Sequence, residues 1–172
     1  TFAHKPAPLQ ASWLGYPGTT GLQSIDYYIA DSFVSPKGKF DGQFTEKIIR
    51  LPALAPFQQS DIVLPVNALP ALANGFITFG SFNRATKINR TVVINWAKLL
   101  RALPTSKLLI EGVAAEAECM GWLRQEGIHA DRLSWHPRKG VEAYNLLHLQ
   151  VDICLDTFPY NGATTSWCAV LM

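Results

Sequence analysis

The sequence lacks a strong charge of either sign. Fifteen lysines and arginines face 13 aspartates and glutamates, leaving a net charge of +2 over 172 residues. So small and dispersed an excess argues against a general nucleic-acid binder. No window approaches 18 consecutive apolar residues, so no membrane span is predicted, and no secretory signal is visible. Cysteine is scarce: Cys119, Cys154 and Cys168 are the full set. Their odd number argues against a disulfide scaffold and their spacing fits no zinc pattern. They are expected to be reduced and mostly buried, as in a cytoplasmic protein. His4, His129, His136 and His148 form no metal-like cluster, and no metal or cofactor is expected. Familiar catalytic signatures are missing as well. There is no Walker loop, no GxGxxG, no HExxH, no Ser-His-Asp order and no paired-carboxylate motif. Nor is there an internal repeat or a low-complexity run. What remains points to holding a ligand rather than to an evident acid–base pair.

What is present is a globular pattern: 48% hydrophobic and 16% charged residues, enough for a well-filled core. Residues 1–52 carry short extended runs broken by turns. Leu9–Leu14 reads as a strand stopped by Gly15, Pro17 and Gly18. SIDYYIAD and TEKIIRLP read as two more. Residues 53–74 hold three prolines without periodicity and read as a linker or crossing segment. From residue 75 onward strands and helices alternate. FITFGSF, KLLIEGV, RLSWHP and VDICLDT are the strands. Val92, Val93, Trp96, Leu99, Leu100 and Leu103 form one helical stripe, with Asn89 as its N-cap and Pro104 as its stop. Helices are also expected over Ala115–Glu126, over Val141–Gln150 and from Thr164 or Thr165 onward. Short connections between alternating elements predict a parallel sheet in a doubly wound α/β domain.

In such sheets ligands bind beyond the carboxyl ends of the strands. SFNRATK, WHPRKG and TFPYNGATT occupy those ends. In the last, Gly162 permits close backbone approach. Thr164 and Thr165 add hydroxyls to the unpaired first amides of a helix, which makes a phosphate seat; ordinary capping is the competing reading. Arg84 and Lys87 stand where a cation would reach the same phosphate, or else form a solvated charge pair at a helix entrance. WHPRKG with Tyr144 is read either as a holder of a planar base or as an ordinary loop whose His136 bonds to backbone. Asp152 and Asp156 are read as structural or loop-capping.

Three of these stretches share one resemblance. KPAPLQASWLGYPGTTGLQSIDYYIAD, GSFNRATKINRTVVINWAKLLRALP and VDICLDTFPYNGATTSWCAVLM closely resemble the O-linked N-acetylglucosamine transferases, in particular their bacterial relatives. The resemblance implies a GT-B arrangement of two Rossmann-like lobes with a nucleotide sugar in the cleft, and tetratricopeptide repeats elsewhere in the protein. Residues 1–52 then read as the end of the first lobe and 75–172 as most of the second. The chain reads as a fragment expected to be inactive by itself. The implied reaction is inverting, metal-independent transfer of N-acetylglucosamine from UDP-GlcNAc to protein Ser/Thr hydroxyls. A non-catalytic nucleotide-sugar-binding or scaffolding module, or a donor such as GDP-fucose or UDP-glucose, is the alternative. By resemblance Lys87 stabilises the leaving diphosphate, Thr164 and Thr165 bind phosphate, and Leu14, Gly15 and Pro17 line the sugar pocket. Pro137 and Tyr144 lie near the base-holding loop. Arg84 stands where animal members have glutamine, Tyr160 where they have cysteine, Ala163 where they have histidine, and Cys168 where they have a ribose-holding aspartate.

Overall fold

The computed structural model describes residues 1–53, 64–112 and 116–172. The chain divides into two compact units, Thr1–Phe57 and Gln58–Met172, described here one at a time.

The first unit carries a parallel sheet in the order β1 (Ala11–Ser12), β2 (Tyr27–Asp31), β3 (Lys47–Leu51). The strand expected over Leu9–Leu14 is cut to two residues. Leu14 has φ of 54° and Gly15 of 141°, so the backbone leaves the extended region there, and a non-glycine residue in the left-handed region marks an imposed turn. The Asp26 carboxylate fixes the start of β1 by accepting from the Gln10 amide at 2.8 Å and from Lys5 Nζ at 2.6 Å. Asp31 ends β2 by accepting from the amides of Phe33 and Val34.

Among the described residues the second unit holds four strands, β4 (Thr78–Ser81), β5 (Lys107–Glu111), β6 (Leu133–His136) and β7 (Ile153–Cys154). They lie in the order β6-β5-β4-β7 and every pairing is parallel. Among the described residues, α-helices accompany them at α1 (Pro70–Asn74), α2 (Arg90–Ala102), α3 (Glu116–Gln125), α4 (Val141–His148) and α5 (Thr164–Leu171). Most of the alternation predicted from the sequence is present. Part of the expected linker differs: residues 70–74 coil into α1, with proline in the first turn and Gly75 in the left-handed region as its cap. Residues 54–63 of that segment and the start expected for α3 at Ala115 lie outside the described residues.

Helix α2 shows how the fold is specified. Asn89 Oδ1 accepts from the Val92 amide at 3.0 Å, satisfying an orphan donor. Val92, Val93, Trp96, Ala97 and Leu100 then bury one face. Two leucines expected on that stripe depart from it: Leu99 is 40% and Leu103 42% exposed. Leu99 lies at the edge of the buried arc, and Leu103 has left helical geometry at φ −124°, ψ 83°. The buried face packs on Phe79, Leu108 and Ile110 of the sheet and on Cys119 and Leu123 of α3. Gly80 points the other way, where a Cβ would lie 2.5 Å from Val151, so β4 tolerates no side chain there. Asp152 plays a structural part, accepting from the amides of Ala71 and Thr78 at 2.8 Å each.

Of the cysteines, Cys119 is buried and Cys168 half-buried, but Cys154 is exposed. The expectation of mostly buried thiols fails at Cys154 because it lies on the two-residue edge strand β7. No helix among the described residues is long and apolar enough to cross a membrane.

The strand order locates the ligand rim. The chain winds outward from β4 through β5 to β6, then returns to place β7 on the other side of β4. The carboxyl ends of β4 and β7 therefore flank the topological switch point, where connections diverge and open a crevice.

Candidate functional site

Both segments that leave the switch point carry residues singled out from the sequence. After β4 the chain runs through buried Phe82 and Asn83 to exposed Arg84 and a single turn, Ala85–Lys87. After β7 it runs through Asp156–Ala163 into α5. The two loops are tied together. Lys87 Nζ donates to the Asn161 carbonyl at 2.7 Å and lies 4.2 Å from the centre of the Tyr160 ring. Asn89, besides capping α2, donates through Nδ2 to the Phe158 carbonyl at 2.8 Å. Thr165 Oγ1 donates to Asn83 Oδ1 at 3.1 Å. Lys87, from one predicted stretch, thus meets the loop of Tyr160 and Thr165, from another. Arg84 is exposed, and its carbonyl accepts from the Lys87 amide at 2.9 Å.

Asp156 organises the closing loop. Its Oδ1 accepts from the Thr157 and Gly162 amides at 2.7 Å each and from Asn83 Nδ2 at 3.1 Å. Buried Thr157 donates to the Tyr160 carbonyl at 2.9 Å, and Asn161 Nδ2 to the Thr157 carbonyl at 2.7 Å. Gly162 is needed where it is: a Cβ would lie 2.5 Å from the hydroxyls of Thr165 and Ser166. The first hydrogen bond of α5 runs from Trp167 N to the Ala163 carbonyl at 3.1 Å. The amides of Thr164, Thr165 and Ser166 precede it, at the positive end of the helix. Thr164 is exposed there. A groove of about 330 Å³ opens alongside, lined in part by Phe82, Asn83, Asp156, Thr165 and Ser166.

A second cluster lies further along the same rim. Tyr144 of α4 meets Phe82 edge-on at 5.5 Å, and Phe82 stacks on His148 at 3.6 Å. His148 Nδ1 lies 2.9 Å from the Tyr144 carbonyl, and burial holds its pKa below the usual value. Burial, then the neighbouring Cys168, pushes the Tyr144 phenol up. Tyr144 is half-buried in this cluster. Pro137 follows β6 at the outer end of the rim.

In the first unit, Leu14, Gly15 and Pro17 form the turn after β1. The segment just after it, at Thr19 and Thr20, is held by Glu46, which no motif in the sequence marks. Glu46 accepts from the Thr20 amide at 2.7 Å, from Thr19 Oγ1 at 2.7 Å and from Thr20 Oγ1. Burial raises its pKa, but these hydrogen bonds outweigh that effect and hold it at about 2. Tyr28 adds a hydrogen bond to the Tyr16 carbonyl at 3.2 Å. With the folded pKa depressed, the stabilisation is complete above the ordinary carboxylate value and is lost as pH falls through about 2. In acid titrations followed by melting, Glu46→Gln is expected to start less stable at neutral pH and to lose less between about pH 4.5 and 2. Equal acid sensitivity in variant and wild type would show that the turn is held by other contacts.

Comparison with known proteins gives a consistent result. The family described as Glycosyl transferase family 41 matches residues 1–58 and 53–171. A rice (Oryza sativa subsp. japonica) protein named as a probable UDP-N-acetylglucosamine–peptide N-acetylglucosaminyltransferase SPINDLY is 40% identical over 96% of this chain and 19% of its own length. The Arabidopsis thaliana protein of the same name is 39% identical over the same shares. An Arabidopsis protein named as the probable transferase SEC is 32% identical over 99% of this chain and 19% of its own. The chain thus spans about a fifth of these relatives. Among solved structures, a single-residue variant of the Thermobaculum terrenum O-GlcNAc transferase matches with a TM-score of 0.85 at 32% identity, over 98% of this chain and 33% of that one. That match and the two parallel sheets bear out the expected α/β fold of the GT-B type.

Proposed function

The chain belongs to glycosyl transferase family 41, and from that premise we propose that it is part of an enzyme moving N-acetylglucosamine from UDP-GlcNAc to Ser/Thr hydroxyls of proteins. The reaction is proposed to be inverting, to need no metal or other cofactor, and to take place in the cytoplasm without nucleic-acid or membrane partners. The observation that carries the reading is the meeting of Lys87 with the loop that opens α5 at the switch point. An ammonium tied to that loop, with the free first amides and threonine hydroxyls of the helix that follows it, supports the reading as a donor set suited to a diphosphate.

In the proposed step the acceptor oxygen bonds to the anomeric carbon from one face. The bond from that carbon to the diphosphate breaks on the other, and UDP leaves with the electron pair. The hydroxyl proton passes to a base. Charge grows on the departing oxygen, so Lys87 and the amides of α5 hold the transition state more strongly than the ground state. Thr164 and Thr165 seat the phosphates, while Arg84 and Tyr160 stand at the lip of the seat. Pro137 and Tyr144 are proposed to lie near the base, and Leu14, Gly15 and Pro17 near the sugar.

The full-length protein, offered UDP-GlcNAc, UDP-glucose and GDP-fucose with acceptor peptides, tests this. The expected result is peptide-dependent release of UDP and a mass gain of one N-acetylhexosamine. Turnover of GDP-fucose in preference would replace the donor. Binding without turnover of any donor would replace the enzyme by a binding module.

A further inference from the structure

The Lys87 ammonium is restrained without being neutralised. Nζ donates to the Asn161 carbonyl at 2.7 Å and lies 4.2 Å from the centre of the Tyr160 ring, well inside cation–π range. Among the described residues no carboxylate pairs with it. A carboxylate would hold the ammonium as firmly, but it would cancel the charge that an incoming anion needs. A carbonyl dipole and the negative face of a ring hold it and leave the full positive charge in place. The Asn161 carbonyl uses one of its three N–H groups, so the ammonium keeps donors for a ligand.

The Tyr160 ring is not what shapes the loop. Buried Thr157 donates to the Tyr160 main-chain carbonyl at 2.9 Å, Asn161 Nδ2 donates to the Thr157 carbonyl at 2.7 Å, and the Gly162 amide donates to Asp156 at 2.7 Å. All of these contacts survive any change of the side chain at 160. The ring itself is 50% exposed, lies outside the hydrophobic core and meets no other ring among the described residues. Its close neighbour across the loops is the lysine.

We propose that Tyr160 is a positioning residue whose ring holds the Lys87 ammonium in place by a cation–π contact, so that a pre-set and fully charged cation meets the diphosphate. A lysine on a free four-carbon stem loses rotamer freedom when it engages a ligand, and one already restrained loses less. Tyr160 thus acts through Lys87 and not by touching the donor. The inference rests on the diphosphate reading above.

The test is UDP binding by calorimetry and steady-state kinetics with UDP-GlcNAc, in the full-length protein and in Tyr160→Leu, Tyr160→Phe, Lys87→Ala and the Tyr160→Leu/Lys87→Ala double variant. Tyr160→Leu should weaken UDP binding and lower kcat/KM by about three- to tenfold, the range of a half-exposed cation–π contact. Tyr160→Phe keeps the ring and should restore most of the loss. Phenylalanines carrying one, two and three fluorines at position 160 keep the shape while draining the ring face, so affinity should fall step by step. In the Lys87→Ala background Tyr160→Leu should change either quantity by less than about twofold, because the partner is gone. A Tyr160→Leu protein with wild-type values, a flat fluorine series, a Tyr160→Phe protein as weak as Tyr160→Leu, or an undiminished Tyr160→Leu effect without Lys87 overturns the inference and leaves the diphosphate reading standing. If Lys87→Ala binds UDP like wild type, or wild type binds none, both fall together.

Discussion

In the full-length protein, Lys87→Ala is expected to lower kcat/KM for the donor by about 10²–10³-fold, or about 2.7–4 kcal/mol, the scale of one lost oxyanion-type donor. The effect should fall on kcat as well as on affinity. The diphosphate is charged before the reaction begins, so the ammonium helps binding; it gains more charge as the glycosidic bond breaks, so the ammonium helps the transition state further. The structure adds a second reason for a large effect. Lys87 already reaches the Asn161 carbonyl at 2.7 Å, so its loss also frees one side of the loop that leads into α5. The melting temperature should change little, because Lys87 lies outside the cluster formed by Trp96, Leu100 and Leu108. Lys87→Arg should rescue only part of the rate, since a planar fork does not replace a compact point charge. Steady-state kinetics beside thermal melting decides the matter. A variant that melts like wild type and keeps near-normal kcat/KM would leave Lys87 a solvated lysine at a helix entrance.

Lys87 was legible in the sequence for a simple reason, as was the closing loop. Both follow strands whose apolar runs are unmistakable, and a parallel sheet sends every such loop to the same rim. The core of the second unit was legible on the same grounds: Val92, Trp96 and Leu100 recur at four-residue steps, and Leu108 and Ile110 alternate on a buried strand. The first unit was less so. Its β1 ends where Leu14 takes a positive φ, a conformation imposed by the turn and unmarked by residue type. The residues that hold the site were hidden for another reason. Glu46 binds Thr20 across 26 positions, and Asn83 binds Asp156 across 73. No local pattern announces partners so remote. Asn89 was read as a cap, and its second bond, to Phe158 across 69 positions, was invisible until the fold brought the two loops together.

Asp156→Ala should cost nearly as much as the loss of Lys87, by a different route. The carboxylate touches no ligand in the proposed reaction. Its Oδ1 gathers the amides of Thr157 and Gly162 and the side chain of Asn83, and its Oδ2 lies 3.5 Å from Ser166 Oγ. Those contacts set where Gly162 lies, and Gly162 sets where the first turn of α5 points. Truncation leaves two backbone donors and Asn83 without their acceptor. At about 1.5–3 kcal/mol for a hydrogen bond to a charged group, discounted because the loop is exposed, the expected loss is about 2–3 kcal/mol. It should appear as a fall in UDP affinity of about 30- to 150-fold, with a drop in melting temperature that Lys87→Ala lacks. Asp156→Asn keeps one oxygen for the two amides while giving up the charge, so it should retain most of the binding. That contrast separates geometry from electrostatics: a charge acting directly would repel the diphosphate, and its removal by asparagine would then strengthen binding. Calorimetry with UDP and melting of the three proteins distinguishes these outcomes. An Asp156→Ala variant with wild-type UDP affinity would show that the loop shaped by this carboxylate is not where the phosphates sit.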